Sequence, residues 1–261
     1  MKPKQLLYMD GKVLWKGVRQ ASSRSEEPIL CLVKQDTIKF VAVSGLRLVV
    51  SWEIKLYHSV PLYLAFVIPP LIAQLLSSEA VRDQAKVEIA VQGDNVALRL
   101  VDQLGHCQIH WESDLASFSA PIQFSDLIKV PDALLEVPYI SFSDAIHKAV
   151  AKLVRLEAKG EINRNKLAIL IDLDLGRLSV NSQEIIAAES SRYYFDPRLV
   201  IRALEFIKEQ TVRVGITPLK LAKRAYLSLW AKQDDWTVHC SLLSIGMDTQ
   251  KLYPLQPGRN R

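Results

Sequence analysis

Residues 141–157, SFSDAIHKAVAKLVRLE, carry the most regular helical pattern in the sequence. The apolar side chains recur every three or four residues, which places them on one face of an α-helix. They are Phe142, Ala145, Ile146, Ala149, Val150, Leu153 and Val154. Ser141 followed three residues later by Asp144 is typical of a capping box, so the helix is predicted to begin there.

Basic residues form a second stripe on the same predicted helix. At 100° per residue they fall within about 60° of one another, away from the centre of the apolar face. They are Lys148, Lys152, Arg155 and Lys159. Such a stripe is typical either of a solvated helix surface or of a surface that binds an anion.

A similar pattern occurs near the amino terminus, where GKVLWKGVR resembles HKAVAKLVR. Lys12, Lys16 and Arg19 repeat the spacing of the later basic residues at a constant offset of 136 positions (148 − 12). Gly11 and Gly17 each weaken a helix by roughly 1 kcal/mol relative to alanine. Asp10-Gly11 is also compatible with a hairpin turn. We favour a helix with Asp10 as its N-cap.

Length and composition limit the class of protein. The 261 residues suit two domains, and 49% hydrophobic residues can form a core. Prolines interrupt the most apolar stretch, residues 60–76, so a membrane span is not expected. The amino terminus lacks the apolar core of a signal peptide, so secretion is not expected either. Three well-separated cysteines fit a reducing cytoplasm. The net charge of +5 favours an anionic partner such as nucleic acid.

Helices and strands occur in the same order in both halves of the chain. In the first half, strands are predicted over residues 29–54, with breaks at Gln35-Asp36 and Ser44-Gly45. A helix that begins with Pro69-Pro70 is predicted over residues 71–80. Three more strands are predicted over residues 87–94, 95–102 and 106–113. In the second half, strands are predicted over 166–176 and 177–183, a helix capped by Asp196-Pro197 over 198–210, and strands over 211–218, 224–231 and 236–246. This repetition predicts two similar domains.

Residues 116–139 contain three prolines and no sustained period, which is typical of a connection between domains. We therefore predict a first domain over residues 1–120, a connector over 121–139 and a second domain over 140–261.

Three stretches resemble the DNA sliding clamps. VRQASSRSEEPILCLV and IKFVAVSGLRLVV are similar to the opening domain of bacterial clamps, and FDPRLVIRALEFIKEQTVRVGI is similar to the second helix and following strand of a clamp domain. The resemblance implies an α+β fold of two repeated clamp-like domains, each with two helices packed on curved antiparallel sheets. It also implies a head-to-tail ring around DNA. Bacterial clamp chains have three domains, whereas this chain has room for two. A six-domain ring would therefore need three copies of this chain, a homotrimer.

Candidate DNA contacts follow from the basic stripes, because a protein that binds DNA without sequence preference needs cations along exposed helix faces. The residues are Lys12, Lys16, Arg19, Lys148, Lys152, Arg155, Lys159, Arg198 and Arg202, with Arg24 added by the resemblance alone. The predicted helices lack a ladder of exposed aromatic residues for stacking single-stranded bases, which favours double-stranded DNA.

Other patterns give little support for an enzyme or a metal site. Asp172 and Asp174 share one face of a strand, but solvent-facing strand residues are the commoner reading. Alternation along a strand sends Cys107 to the opposite face from His106 and His110, which argues against zinc. We therefore expect no catalysis, no cofactor and no metal.

The resemblance also implies partner proteins. Clamps bind short peptides in an apolar pocket, which here suggests Leu127, Ile128 and Val130, or Leu252, Tyr253 and Pro254. These residues could equally pack the connector and the tail. The expected function is a sliding clamp or processivity factor in DNA replication or DNA repair, tethering DNA polymerase or other DNA-processing proteins. The alternative is a clamp-fold DNA-binding or protein-interaction adaptor that forms no ring.

Overall fold

The computed structural model describes residues 4–22, 27–44, 48–84, 86–102, 105–118, 134–160, 167–174, 177–184, 193–207, 209–219 and 224–245. The chain divides into two compact units. The first consists of Met1–Val130 with Leu229–Ser241, and the second of Pro131–Ser228 with Leu242–Arg261. The predicted bounds of the domains and of the connector stay a prediction, since residues 119–133 lie outside the described part.

The first unit begins with a strand, a helix and two long strands. Its elements are β1 (Gln5–Met9), α1 (Gly11–Ser22), β2 (Ile29–Ser44), β3 (Leu48–Ile68), α2 (Pro70–Leu76), α3 (Glu79–Arg82), β4 (Val87–Gln92), β5 (Asn95–Asp102) and β6 (Gly105–Glu112), followed by a single 3-10 turn at Leu115–Ser117. Strands β1, β4, β5 and β6 form a four-stranded antiparallel sheet in the order β1-β4-β5-β6. None of the described helices has the length and apolar character needed to span a bilayer.

Helix α1 forms as predicted, and the hairpin alternative is wrong. The Lys12 N–H donates to Asp10 Oδ1 at 2.7 Å, so Asp10 is the N-cap. The two glycines mark close contacts: a β-carbon at Gly11 would collide with the backbone of α3, and one at Gly17 would collide with the Phe40 ring. The glycines therefore allow α1 to pack closely, and tertiary packing outweighs their low helix propensity.

Strands β2 and β3 are longer than the sequence pattern indicated. The prediction that Gln35-Asp36 separates two strands is wrong, because β2 continues through this point as a bulge with Gln35 at φ 53° and shifted register. A bulge accommodates an extra residue without ending the pairing of the strands. Strand β3 also extends to Ile68, well beyond the predicted limit at residue 54.

Helix α2 begins at Pro70, as the paired prolines predicted. It ends at Leu76, where the Ser77 hydroxyl donates to the Ala73 carbonyl at 2.8 Å, and the separate helix α3 starts at Glu79. The single helix predicted through residue 80 is therefore two short helices. Both pack against α1.

The second unit repeats the order of a helix, strands, a proline-opened helix and strands. Its elements begin with β7 (Leu135–Pro138), α4 (Tyr139–Ala158), β8 (Leu167–Asp174), β9 (Arg177–Glu184), β10 (Tyr194–Phe195), α5 (Pro197–Phe206) and β11 (Thr211–Pro218). The final hairpin, β12 (Ala225–Gln233) and β13 (Trp236–Leu243), contributes residues to both units. Strands β10, β8 and β9 form an antiparallel sheet in that order, and β7 pairs antiparallel with β11. The predicted α+β class with repeated helix-and-sheet units is confirmed.

The predicted start of α4 is wrong. The helix begins at Tyr139, with Pro138 as the N-cap and no capping side chain, and Ser141 lies within its first turn. The Tyr139 N–H donates instead to the Gln210 carbonyl at 2.9 Å, because β7 leads directly into the helix beside β11. The capping-box pattern was therefore overridden by strand pairing.

The buried face of α4 is narrower than predicted. Phe142, Ile146, Ala149 and Leu153 are buried, whereas the Val154 side chain is 55% exposed.

Helix α5 begins as predicted. The Arg198 N–H donates to Asp196 Oδ1 at 3.0 Å, which confirms Asp196 as its N-cap. That helix ends at Phe206, four residues before the predicted limit.

Candidate nucleic-acid interface

Helix α4 presents three basic side chains to solvent. Lys148, Lys152 and Arg155 are exposed, and their side chains form no ion pair or hydrogen bond with the described part of the chain. Their spacing of four and three residues places them on one side of the helix, away from the buried side chains. Their charges are therefore available to an external anion. Lys159, the last residue of the stripe, is exposed at the C-cap position.

The basic residues of α1 have a different environment. Lys12 is exposed, but Lys16 is half-buried and its ammonium lies 5.4 Å from the centroid of the Trp236 ring. The Arg19 guanidinium lies 4.9 Å from the Trp15 ring. These cation–π contacts restrict the two side chains without neutralising their charges.

Trp15 fixes α1 against the two short helices. Its indole N–H donates to the Ser77 carbonyl at 2.9 Å, and the Arg82 guanidinium lies 5.7 Å from its ring, in addition to Arg19. The indole therefore links α1 to the turn between α2 and α3. This contact holds the exposed face of α1 in a defined orientation.

Helix α5 carries the remaining described candidates. Arg198 forms two hydrogen bonds with the Asp196 carboxylate, at 3.0 and 2.8 Å, and these bonds raise the pKa of its guanidinium. Much of its charge is offset by this carboxylate. Arg202 is exposed one turn further along the helix. Helix α5 packs against α4, where the Tyr139 hydroxyl donates to the Leu204 carbonyl at 3.2 Å.

Helix α2 differs from the other helices because its sequence, PLIAQLL, contains no basic residue. Its outward side chains include Leu71 and Leu75, which are 69% and 50% exposed. Among the described helices of the first unit, the basic stripe lies on α1, and α3 carries only Arg82, which pairs with Glu79 and Asp83. In the second unit both α4 and α5 carry basic residues.

Several predicted site residues lie outside the described part of the chain. They are Arg24 and all six candidates for peptide binding, Leu127, Ile128, Val130, Leu252, Tyr253 and Pro254. The other candidates fall into two groups, one on α1 in the first unit and one on α4 and α5 in the second unit.

The described residues contain no group of three or more histidine, cysteine or acidic side chains that could hold a metal ion. Cys107 and His110 are both exposed, and His110 Nε2 lies 3.3 Å from Gln108 Oε1. The side chains of His106, Asp172 and Asp174 lie outside the described part.

A buried histidine in the first unit was not singled out by the sequence analysis. The His239 ring stacks on Trp230 with centroids 3.9 Å apart, and Nε2 lies 2.8 Å from the Ser241 hydroxyl. Burial, together with the smaller effect of the Lys39 charge, lowers the pKa of His239 from 6.5 to about 3. Alternation along the strand places His239 on the same face as Thr237, opposite Trp236, Val238 and Cys240, so the sequence alone does not predict that this side chain is buried.

Comparisons with known proteins identify the fold. No protein-family model and no curated protein matches the chain by sequence. Solved structures do match. A DNA polymerase sliding clamp from Pseudomonas aeruginosa is 12% identical in sequence, with a TM-score of 0.56. The match covers 94% of this chain and 67% of the clamp chain. A DNA polymerase III beta chain from Streptococcus pneumoniae matches at 14% identity and a TM-score of 0.56, covering 94% of this chain and 66% of its own.

The DNA polymerase III beta subunit from Thermotoga maritima matches at 9% identity, with a TM-score of 0.56 and coverage of 92% of this chain and 65% of its own. The chain thus spans about two thirds of the length of these structures. The predicted resemblance rested on three short stretches, whereas the structural match extends over nearly all of the chain. The chain has the fold of the DNA sliding clamps, the beta subunits of DNA polymerase III.

Proposed function

We propose that this protein is a sliding clamp or clamp-like processivity factor that binds the backbone of double-stranded DNA without sequence preference. The observation that carries the proposal is a set of exposed cations on α4, Lys148, Lys152 and Arg155, whose side chains have no ion-pair partner among the described residues, within a clamp fold. The structural match supports the fold, and the cations support the choice of ligand.

The chemistry of the helices suits phosphate better than bases. Lysine and arginine side chains gain affinity for DNA mainly by releasing condensed counterions, which does not depend on the base sequence. The exposed positions of α4 and α5 include no tryptophan, tyrosine or phenylalanine that could stack on unpaired bases. Duplex DNA is therefore the proposed ligand, contacted by the basic residues of α1, α4 and α5, together with Arg24.

We further propose a homotrimeric ring. Two clamp-like units per chain require three copies to give six units, and closed cyclic symmetry pairs each subunit with the next in a head-to-tail arrangement. A ring around DNA holds a partner at its site by topology and requires no bond chemistry. The proposal therefore includes no catalytic residue, no cofactor and no metal.

Partner proteins complete the proposed role. DNA polymerase or other DNA-processing proteins would bind through short peptides, at Leu127, Ile128 and Val130 or at Leu252, Tyr253 and Pro254. Replication or repair in the cytoplasm is the proposed setting. The second unit would make most of the contacts with DNA, because α2 in the first unit exposes leucines and has no basic residue.

The test is direct binding of fluorescent duplexes in low salt. Two 30-base-pair duplexes of unrelated sequence should bind with equal affinity, and a single strand of the same length should bind more weakly. Strong preference for one duplex sequence would contradict backbone binding. An absence of binding at any salt concentration would favour the adaptor that acts only through protein partners.

A further inference from the structure

One side of helix α1 is covered by helix α3. Gly11, Trp15 and Val18 lie on this side, because positions four and three residues apart share a face of a helix. The Gly11 N–H donates to the Gln84 carbonyl at 3.0 Å. The Trp15 indole N–H donates to the Ser77 carbonyl, so the residues before and after α3 are both bound to α1. Val18, on the same side, is completely buried.

The corresponding side of helix α4 is open to solvent. At the offset of 136 positions that relates the two helices, it begins with His147, Ala151 and Val154. All three residues are exposed, and the Val154 side chain is 55% exposed. Ile140, which is 72% exposed, and the exposed Ala158 continue the same side toward the two ends of the helix. We call these five residues the uncovered face of α4.

The uncovered face has no counterpart of α3 within the described part of the second unit. Helix α5 ends at Phe206 and β11 begins at Thr211, whereas α3 lies between α2 and β4 in the first unit. Leu204 and Ser77 each lie seven residues after the opening proline of their helix (204 − 197, 77 − 70). The Leu204 carbonyl, however, accepts its hydrogen bond from the Tyr139 hydroxyl at the start of α4. Position 151 is therefore free of the contact that Trp15 makes in the first unit.

The charges that border the uncovered face are mostly positive. Lys148, Lys152 and Arg155 lie along one edge, and Asp144 is the single exposed carboxylate of α4. Glu157 lies beyond the opposite edge and is half-buried. Helix α5, which packs against α4, exposes two arginines and one glutamate. A ligand that extends over the lysine edge is therefore complemented best by negative charge.

We propose that the uncovered face of α4 binds a short amphipathic helix of a partner protein, which takes the place that α3 has in the first unit. The small side chains of Ala151 and Ala158 allow close approach of a second helix, and Ile140 and Val154 supply apolar contacts. The first unit shows that a helix fits the equivalent side of this fold. The partner helix has aliphatic residues on one side and acidic residues toward Lys148 and the other cations.

The inference does not depend on DNA binding or on ring formation. The uncovered face follows from the difference between the two repeated units, which is present in a single chain. Its residues also differ from the six candidate peptide-binding residues of the connector and the tail. The face would provide a separate contact point for a partner on the second unit.

The test uses the full chain with ¹³C-labelled alanine and valine methyl groups. The probe is a hydrocarbon-stapled helix of about 15 residues, since shorter unstapled peptides are poorly helical. It carries leucines along one face and glutamates along one edge. The methyl signals of Ala151, Val154 and Ala158 should shift and saturate with a dissociation constant below about 1 mM. The same helix with lysines in place of the glutamates should bind at least about fivefold more weakly.

Variants of the chain test each part of the proposed contact. Val154→Glu should raise the dissociation constant of the glutamate helix at least about tenfold, because it removes an apolar contact and adds a like charge. Gln74→Glu adds the same charge at an exposed position of α2 and should leave the dissociation constant unchanged. Arg155→Ala should raise it about two- to fivefold, the effect of losing an exposed ion pair. The melting temperature of each variant shows whether it is folded.

Ala158→Glu, at the last residue of α4, provides a second variant of the same face in case Val154→Glu does not fold. Its expected effect on the dissociation constant has the same direction. Three results would overturn the proposal: no saturable shift up to roughly 2 mM of the glutamate helix, equal binding of the glutamate and lysine helices, or unchanged binding by the folded variants. A DNA duplex that shifts these methyl signals when the stapled helix does not would assign the face to DNA and would also overturn it.

Discussion

Replacement of Lys148, Lys152 and Arg155 by alanine removes the exposed cations of α4 in a single variant. If each side chain contacts a phosphate, its loss should reduce the slope of log affinity against log salt concentration by about 0.9. The triple variant should therefore flatten the slope by about 2.7 per chain. Between 50 and 200 mM salt, the wild-type protein would then lose about 40-fold more affinity than the variant.

The folded state should tolerate the triple change. All three side chains are exposed and lie off the buried face of the helix. Alanine is the best helix former, so the free energy of unfolding should change by less than about 0.5 kcal/mol. The assay is fluorescence anisotropy of a labelled duplex across a salt series, with the melting temperature of each variant measured in parallel.

A charge-matched control separates local contact from net charge. Lys34, Lys86 and Lys232 are exposed lysines outside the helices, and their replacement by alanine removes the same total charge. This control should keep the wild-type slope. An unchanged slope in a folded α4 variant would refute the assignment of these residues to DNA. Equal flattening in both variants would show that net charge alone governs binding.

Three further outcomes test the assembly and the packing. Light scattering should find a particle of three 29.5 kDa chains, and a monomer at high concentration would exclude the trimeric ring. Gly17→Ala should lower the free energy of unfolding by about 1–3 kcal/mol through its clash with Phe40, whereas Lys12→Ala on the same helix should have little effect; equal stability of the two variants would contradict the close packing. His239 should reduce stability as the pH falls from 6.5 to about 3, because the unfolded chain binds a proton that the folded protein excludes. Its contribution is about 1.4 kcal/mol per pH unit at most, and His239→Phe should flatten the acid limb of the stability curve; an unaltered limb would contradict the buried neutral histidine.

The helices of the fold could be predicted because their signals are local. The apolar spacing of α4, the Asp10 cap of α1 and the Asp196-Pro197 start of α5 each depend on residues within one or two turns. Signals that depend on distant residues were misread. Ser141 has the pattern of a cap, but pairing of β7 with β11 places the cap three residues earlier, at Pro138.

The glycines of α1 illustrate the same limitation. Glycine has a low helix propensity, so Gly11 and Gly17 argue against a helix in the sequence. In the structure they allow α1 to pack closely against α3 and Phe40, and the local sequence does not reveal these contacts. In the sequence, the polar pair Gln35-Asp36 is typical of a turn. In the structure Gln35 has a positive φ, as turn residues often do, but it lies in a bulge within β2.

The candidate site was predictable in composition but less so in environment. Periodicity placed Lys148, Lys152 and Arg155 on an exposed face, where the structure also has them. It could not show that Lys16 lies against Trp236 or that Asp196 binds the guanidinium of Arg198, because both depend on folded side-chain positions.

Retention on circular DNA tests the central proposal most directly. Protein assembled on a nicked circular plasmid should remain bound after a wash in high salt, because a closed ring is held by topology and not by charge. Cutting the plasmid with a restriction enzyme should release the protein, which can then slide off the ends. Where the protein does not assemble unaided, a clamp-loading extract provides the opening step. Equal loss from circular and linear DNA after confirmed assembly would contradict a clamp that encircles the duplex.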